Sequence, residues 1–211
     1  MKTHILIPAA LLLLCVGCQR EAGTPLPYYR SAELTPEWLT EPEAQAPDLH
    51  RIADFALTNQ AGETISQADV SGKIYVANFF FAQCATICPS LRSNMAAVQT
   101  AFADDDDVLI LSHSVMPEAD TVPVLAAYAQ VNDVQLGKWH LLRGEQEAVA
   151  TLADASYFSA FGLNTTFYHS ENFVLVDPNG HIRGVYNGSL PLEVKQLIND
   201  IATLKQTLVG S

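Results

Sequence analysis

Positive charge is scarce in this chain. Eleven lysines and arginines stand against 23 aspartates and glutamates, a formal net charge of −12. That balance argues against nucleic acid and anionic lipid surfaces as partners. Long apolar runs are lacking as well: the longest, over residues 5–16, is too short to span a bilayer as a helix. There are no internal repeats, only four cysteines, and no proline between Pro123 and Pro178. What the chain does have is 211 residues that are 49% hydrophobic, enough for one ordinary domain with a real core.

The first residues, "MKTHILIPAALLLLCVGCQR", have the form of an export leader: Lys2 gives a short positive region and the apolar run follows it. The end, "LCVGC", resembles a bacterial lipobox with Gly17 before Cys18, although Cys15 stands where that pattern usually has Leu. Residues 1–18 are therefore expected to direct export and to leave Cys18 lipidated, anchoring the chain on the outer side of a bacterial membrane. Leader removal takes away Cys15 and the thioether commits Cys18, so two thiols, Cys84 and Cys88, remain in a compartment where disulfides can persist.

Residues 19–50 carry five prolines, several acids and few aliphatic residues. That composition predicts a tether, with "LPYY" and "PEWL" able to dock because Tyr28, Tyr29 and Trp38 are costly to leave in water. Residues 51–208 carry globular patterning. "DFALTNQAGETIS" predicts a strand, a turn and a return strand, and "KIYVANFFF" and "VLILSHS" predict strands covered on both faces. Between them "SLRSNMAAVQTAF" has a helical stripe, Leu91, Met95, Val98 and Phe102. Asp120 is expected to cap a helix through "TVPVLAAYAQV", "WHLLRG" to form a strand, and "EQEAVATLADASY" a helix. "NFVLVDPNGHIRGVYNG" predicts a hairpin, followed by a helix opened by Pro191. The order predicts an α/β, thioredoxin-like fold: a central mixed sheet flanked by helices, with an N-terminal hairpin.

"FFFAQCATICPSL" holds the chemistry. A residue before proline avoids the α region, so Cys88 is expected at the cap and Pro89 at the first helical position, while Cys84 falls one loop earlier, past the end of a strand. Both sulfurs are then expected at the positive end of a helix dipole, which favours thiolate over thiol. A structural disulfide, a redox pair and half of a soft-metal site are all compatible with this spacing.

The segment "FFFAQCATICPSLRSNM" resembles the Cys-x-x-x-Cys-Pro motif of the Sco/SenC family. "LSHSVMPEADTVPVLAAYA", "WHLLRG" and "FYHSENFVLVDPNGHIRGVYNG" are similar, in order and spacing, to that family's later blocks. The resemblance covers residues 50–208. It implies a thioredoxin-fold copper-binding protein, membrane-anchored on the outer side, that serves assembly of the copper centre of cytochrome c oxidase. The partner implied is a copper-accepting oxidase subunit. The metal ligands implied are Cys84, Cys88 and His169, suited to Cu(I) and able to accept Cu(II).

The alternative function is an exported thiol:disulfide oxidoreductase that uses Cys84 and Cys88 as a redox pair to reduce the cysteines of a copper-accepting protein. The absence of proline between Pro123 and Pro178 argues against the usual members of that class, which place a cis-proline beside their cysteines. Peroxidase chemistry is disfavoured because "FAQCAT" lacks a threonine three places before Cys84, and structural zinc because only three ligands are visible. One departure from the family stands out: Met116 precedes Pro117 where an Asp-Pro pair is usual, so Met116 could border the metal or fill a gap in the core. His113, at the same strand end, could also approach the site. His50, His140 and His181 are expected at the surface, residues 104–107 in a solvated acidic loop, and Trp139 in the core.

Overall fold

The computed structural model describes residues 25–84, 88–159 and 170–209. The lipobox cysteine Cys18 and the loop histidine His169 lie outside the described residues.

After one helical turn, α1 (Glu41–Ala44), an antiparallel hairpin pairs β1 (Ala56–Thr58) with β2 (Thr64–Ser66), and a short α2 (Gln67–Val70) follows. The chain then runs β3 (Ile74–Phe80), α3 (Cys88–Ala101), β4 (Val108–Ser114), α4 (Val122–Val131) and β5 (Trp139–Leu142). Next come α5 (Gln146–Thr151), which widens into one π turn (Leu152–Ser156), then β6 (Asn172–Val176), β7 (Ile182–Asn187) and α6 (Pro191–Val209).

Five strands form one mixed sheet in the order β5-β4-β3-β6-β7. β3, β4 and β5 are parallel, while β6 runs antiparallel to β3 and β7 antiparallel to β6. Every residue of β3 and β4 is buried, as continuous apolar runs demand when both faces are covered. Alternation along β3 sends Ile74, Val76 and Phe80 to one layer and Tyr75, Ala77 and Phe79 to the other. The first layer packs against Leu91, Met95 and Val98 of α3, Leu125 of α4, and Leu197, Ile201 and Leu204 of α6. The second packs under Ile52, Leu57, Val70, Val149, Leu152 and Tyr157. The mixed sheet with helices and the N-terminal hairpin is the thioredoxin-like α/β arrangement expected. Trp139 is in the core, 2% exposed, and its indole N–H donates to the Ser112 hydroxyl at 2.8 Å. The β6–β7 turn relies on Gly180 at φ +84°, the left-handed region where glycine is unstrained; its carbonyl accepts the Ile52 N–H at 2.9 Å.

Several local expectations are corrected. Within the expected tether, Leu26, Pro27 and Leu49 are buried, Leu26 and Leu49 each only 3% exposed, while most of the residues between them are exposed or half-buried. Arg183 on β7 holds the first two: its guanidinium donates to the carbonyls of Pro27 (3.0 Å) and Leu26 (2.7 Å) and lies 3.8 Å over the Tyr28 ring. Trp38, by contrast, is exposed, its indole N–H bonded to the Pro25 carbonyl at 3.1 Å. His140 and His181 are buried rather than on the surface. His181 Nδ1 meets the His50 carbonyl at 2.8 Å, and His140 sits beside Asn59. In the acidic loop Asp104, Asp106 and Asp107 are exposed, but Asp105 is half-buried and ion-paired with Lys205, which holds its carboxyl below the usual range despite burial. Asp120 does not cap α4. Thr121 takes the cap position, and the Asp120 carboxylate turns back to the end of β3.

Candidate metal centre

The parallel crossover from β3 through α3 to β4 places two polypeptide turns at one edge of the sheet. β3 ends at Phe80, and the chain turns through Ala82 and Gln83 to Cys84, whose N–H donates to the Phe81 carbonyl at 3.3 Å. Cys88 is the first residue of α3, with Pro89 next, a position where the missing N–H costs nothing. Both sulfurs are thus delivered to a strand-to-helix turn, as Pro89 predicted, but the helix begins one residue earlier than expected, with Cys88 inside it rather than at the cap.

The two cysteines are thiols, not joined in a disulfide, and differ in environment. Cys88 is 6% exposed and, with Phe80, Leu91, Tyr128 and Trp139, lines a narrow cavity beneath the turn. Cys84 is half-buried, and both cysteines border an open cleft of about 370 Å³ between α3 and α4, walled by Pro89, Val124, Ala127 and Tyr128 with Arg92 as its cation. The expectation that the helix dipole favours thiolate fails for Cys88. Burial pushes its thiol up to about 12, and the adjoining Cys84 thiol adds to the rise through its hydrogen bond and charge. A buried sulfur at the helix start loses more solvation than the dipole returns. Tyr128 is likewise pushed up to about 12 by burial, opposed by Arg92 and reinforced by the charges of Cys88, Cys84 and Asp120, so these groups act on one small volume.

Chemically, a buried thiol beside a partly open one can form a disulfide with its neighbour or give two sulfur ligands to a soft ion such as Cu(I). Among the described residues no third ligand joins them. His169 lies outside those residues. His113 does not approach the thiols. It alternates away from Ser112 to the second layer, stacked on Phe79 at 5.2 Å between centroids and bordered by Tyr157 and Phe55. It is fully buried, neither ring nitrogen has a partner among the described residues, and burial pushes its pKa down to about 3. Met116 also packs against the second layer.

One residue at this edge escaped sequence reasoning in its actual role. Asp120, 1% exposed, accepts the Ala82 N–H and the Ser114 hydroxyl. Burial raises its pKa, while those hydrogen bonds and the charge of Arg143 pull the other way. Its distance in sequence from Ala82 left no local signal for the contact.

Comparison with known proteins agrees with the fold. The chain is 29% identical to the SCO1 protein homolog of Bacillus subtilis (strain 168) over 164 residues, 74% of this chain and 85% of that one. A SCO1/SenC family lipoprotein from Bacillus anthracis str. Ames superposes with a TM-score of 0.67 at 30% identity, covering 74% of this chain and 95% of that one. ScoI of Bradyrhizobium japonicum, solved with copper bound, shares the fold at 23% identity and a TM-score of 0.59, covering 72% of this chain and 98% of that one. The SCO1/SenC family profile matches residues 43–206, most of the chain, and the protein belongs to that family.

Proposed function

We propose that this protein is an exported copper-binding assembly factor that delivers copper to the copper-accepting subunit of a cytochrome c oxidase. Cys84, Cys88 and His169 are its metal ligands, and Cys18 carries the lipid that holds it at the outer side of a bacterial membrane. The observation that carries this reading is the pair of thiols at the strand-to-helix turn, Cys88 buried and Cys84 half-buried, both bordering one open cleft. A buried sulfur ligand keeps water from a bound Cu(I), and an open one lets an acceptor's sulfur or imidazole enter as the first leaves. Family membership, a copper-bound relative of the same fold and a lipoprotein relative support the metal and the anchor. Three soft or borderline donors make a low-coordinate site that suits Cu(I) and admits Cu(II) with one weak extra ligand.

Loading the anaerobically reduced chain with Cu(I) tests this. One copper per chain is expected, falling to none after competition with a moderate chelator in Cys84→Ser or Cys88→Ser. Retention of tight stoichiometric copper in either variant would remove the thiols from the site.

The second reading, a thiol:disulfide oxidoreductase acting on the acceptor's cysteines, draws on the same contrast, since a partly open sulfur can attack while a buried one resolves. It needs Cys84 and Cys88 but not His169. A His169→Ala variant that still supported oxidase assembly in cells would favour it.

A further inference from the structure

Asp120 is held in place from several directions. Its carboxylate oxygens share the Ala82 backbone N–H at 3.1 and 3.2 Å, and one of them accepts the Ser114 hydroxyl at 2.6 Å. The Ser114 oxygen in turn accepts the Met116 N–H at 3.2 Å, and Asp120 donates its own N–H to the Met116 carbonyl at 2.8 Å. Beside it the Val115 N–H reaches the Phe80 carbonyl at 2.9 Å. One buried carboxylate therefore ties the end of β3, the end of β4 and the approach to α4.

Burying a carboxylate is costly unless it is well hydrogen-bonded. The guanidinium of Arg143 turns to the Pro117 carbonyl, at 3.0 and 3.3 Å, rather than pairing with Asp120. What Asp120 grips instead is a backbone N–H two residues before Cys84. The Cys84 N–H closes the same turn onto Phe81. The turn over residues 81–84 is thus fixed at its base by its own hydrogen bond and in its middle by Asp120.

We propose that Asp120 is a positioning residue for the thiol pair: by holding the Ala82 N–H it keeps Cys84 against Cys88, so that the two sulfurs act as one unit. This rests on the reading of Cys84 and Cys88 as the working pair. It is tested without metal, so that its failure and the failure of the copper assignment are separate results.

The experiment equilibrates the full chain with oxidised and reduced dithiothreitol. The Cys84 and Cys88 thiols form one S–S bond and give up two protons and two electrons. The reagent's disulfide takes up both and becomes its dithiol. The equilibrium constant reads how well the turn holds the two sulfurs together. Losing a hydrogen bond to a charged acceptor predicts a fall of about tenfold in Asp120→Ala, equivalent to about 30 mV toward easier reduction. Asp120→Asn, whose side-chain oxygen can still accept the Ala82 N–H, should rescue the constant to within about twofold of wild type. A folded Asp120→Ala protein with the wild-type constant would overturn the proposal, and so would an Asp120→Asn value as low as that of alanine. Should Asp120→Ala fail to unfold cooperatively, Ser114→Ala decides instead, because it removes the hydroxyl that aims the carboxylate. A fall of about threefold is expected there, and an unchanged constant would overturn the proposal.

Discussion

Arg183 donates to Asp177 at 3.1 Å while the rest of its guanidinium holds the carbonyls of Leu26 and Pro27. The pair is buried, with side-chain exposures of 10% and 3%, so a strand residue and a hairpin-turn residue together fasten the strap that enters the domain. Lysine cannot reproduce that planar fork or its stacking on Tyr28. Arg183→Lys is expected to cost about 2–4 kcal/mol in urea unfolding. Protease cleavage within residues 25–50 should become faster while the sheet remains intact. Unchanged cleavage would show that the strap is held by Leu26 and Leu49 alone.

His113 predicts an acid sensitivity with a defined sign. An unfolded histidine takes up a proton near pH 6.5, whereas the folded one refuses it down to about pH 3. The unfolded chain therefore binds more protons throughout that window. The contribution is fully present above pH 6.5 and is lost as pH falls. Between pH 7.5 and 5.0 the stability difference between wild type and His113→Phe should change by about 2 kcal/mol against wild type. Parallel pH curves for the two proteins would mean that His113 finds a proton acceptor or ligand in solution.

The high pKa of Cys88 predicts how copper binding responds to pH. Burial holds its thiol protonated in the free protein across pH 6–8, so Cu(I) must displace that proton. Apparent Cu(I) affinity should rise at least tenfold per pH unit between pH 6 and 8, measured by competition with a chelator corrected for its own titration. A flat profile would place a preformed thiolate at Cys88, contrary to its burial.

Much of the frame was legible because burial on both faces writes itself into sequence as unbroken apolar runs. "KIYVANFF" and "VLILSHS" became β3 and β4, and the α3 stripe of Leu91, Met95 and Val98 became its buried face. The cysteine turn was legible because Pro89 marks a helix start. What could not be read depends on partners far away in the chain. Arg183 meets carbonyls 156 and 157 residues distant, Asp120 meets an N–H 38 residues back, and His181 meets His50 across 131 residues. A prolyl, acidic segment looks like a tether until an arginine on the opposite edge of the sheet satisfies its carbonyls. The Cys88 thiol, expected to ionise at a helix start, is governed by the side chains packed over it.

The lipid anchor should separate cleanly from the metal site. Cys18→Ser is expected to release the protein from the membrane fraction of cells and to leave its copper stoichiometry unchanged, since neither thiol of the domain is touched. Wild-type membrane partition in the variant, measured by fractionation and immunoblotting, would contradict the lipobox reading.

The most direct measurement of the copper assignment is X-ray absorption at the copper edge, on the Cu(I)-loaded chain and on His169→Ala. Two sulfur scatterers and one nitrogen scatterer are expected in the wild type, with loss of the nitrogen and retention of both sulfurs in the variant. A wild-type spectrum with fewer than two sulfurs, or identical spectra for the two proteins, would contradict that assignment.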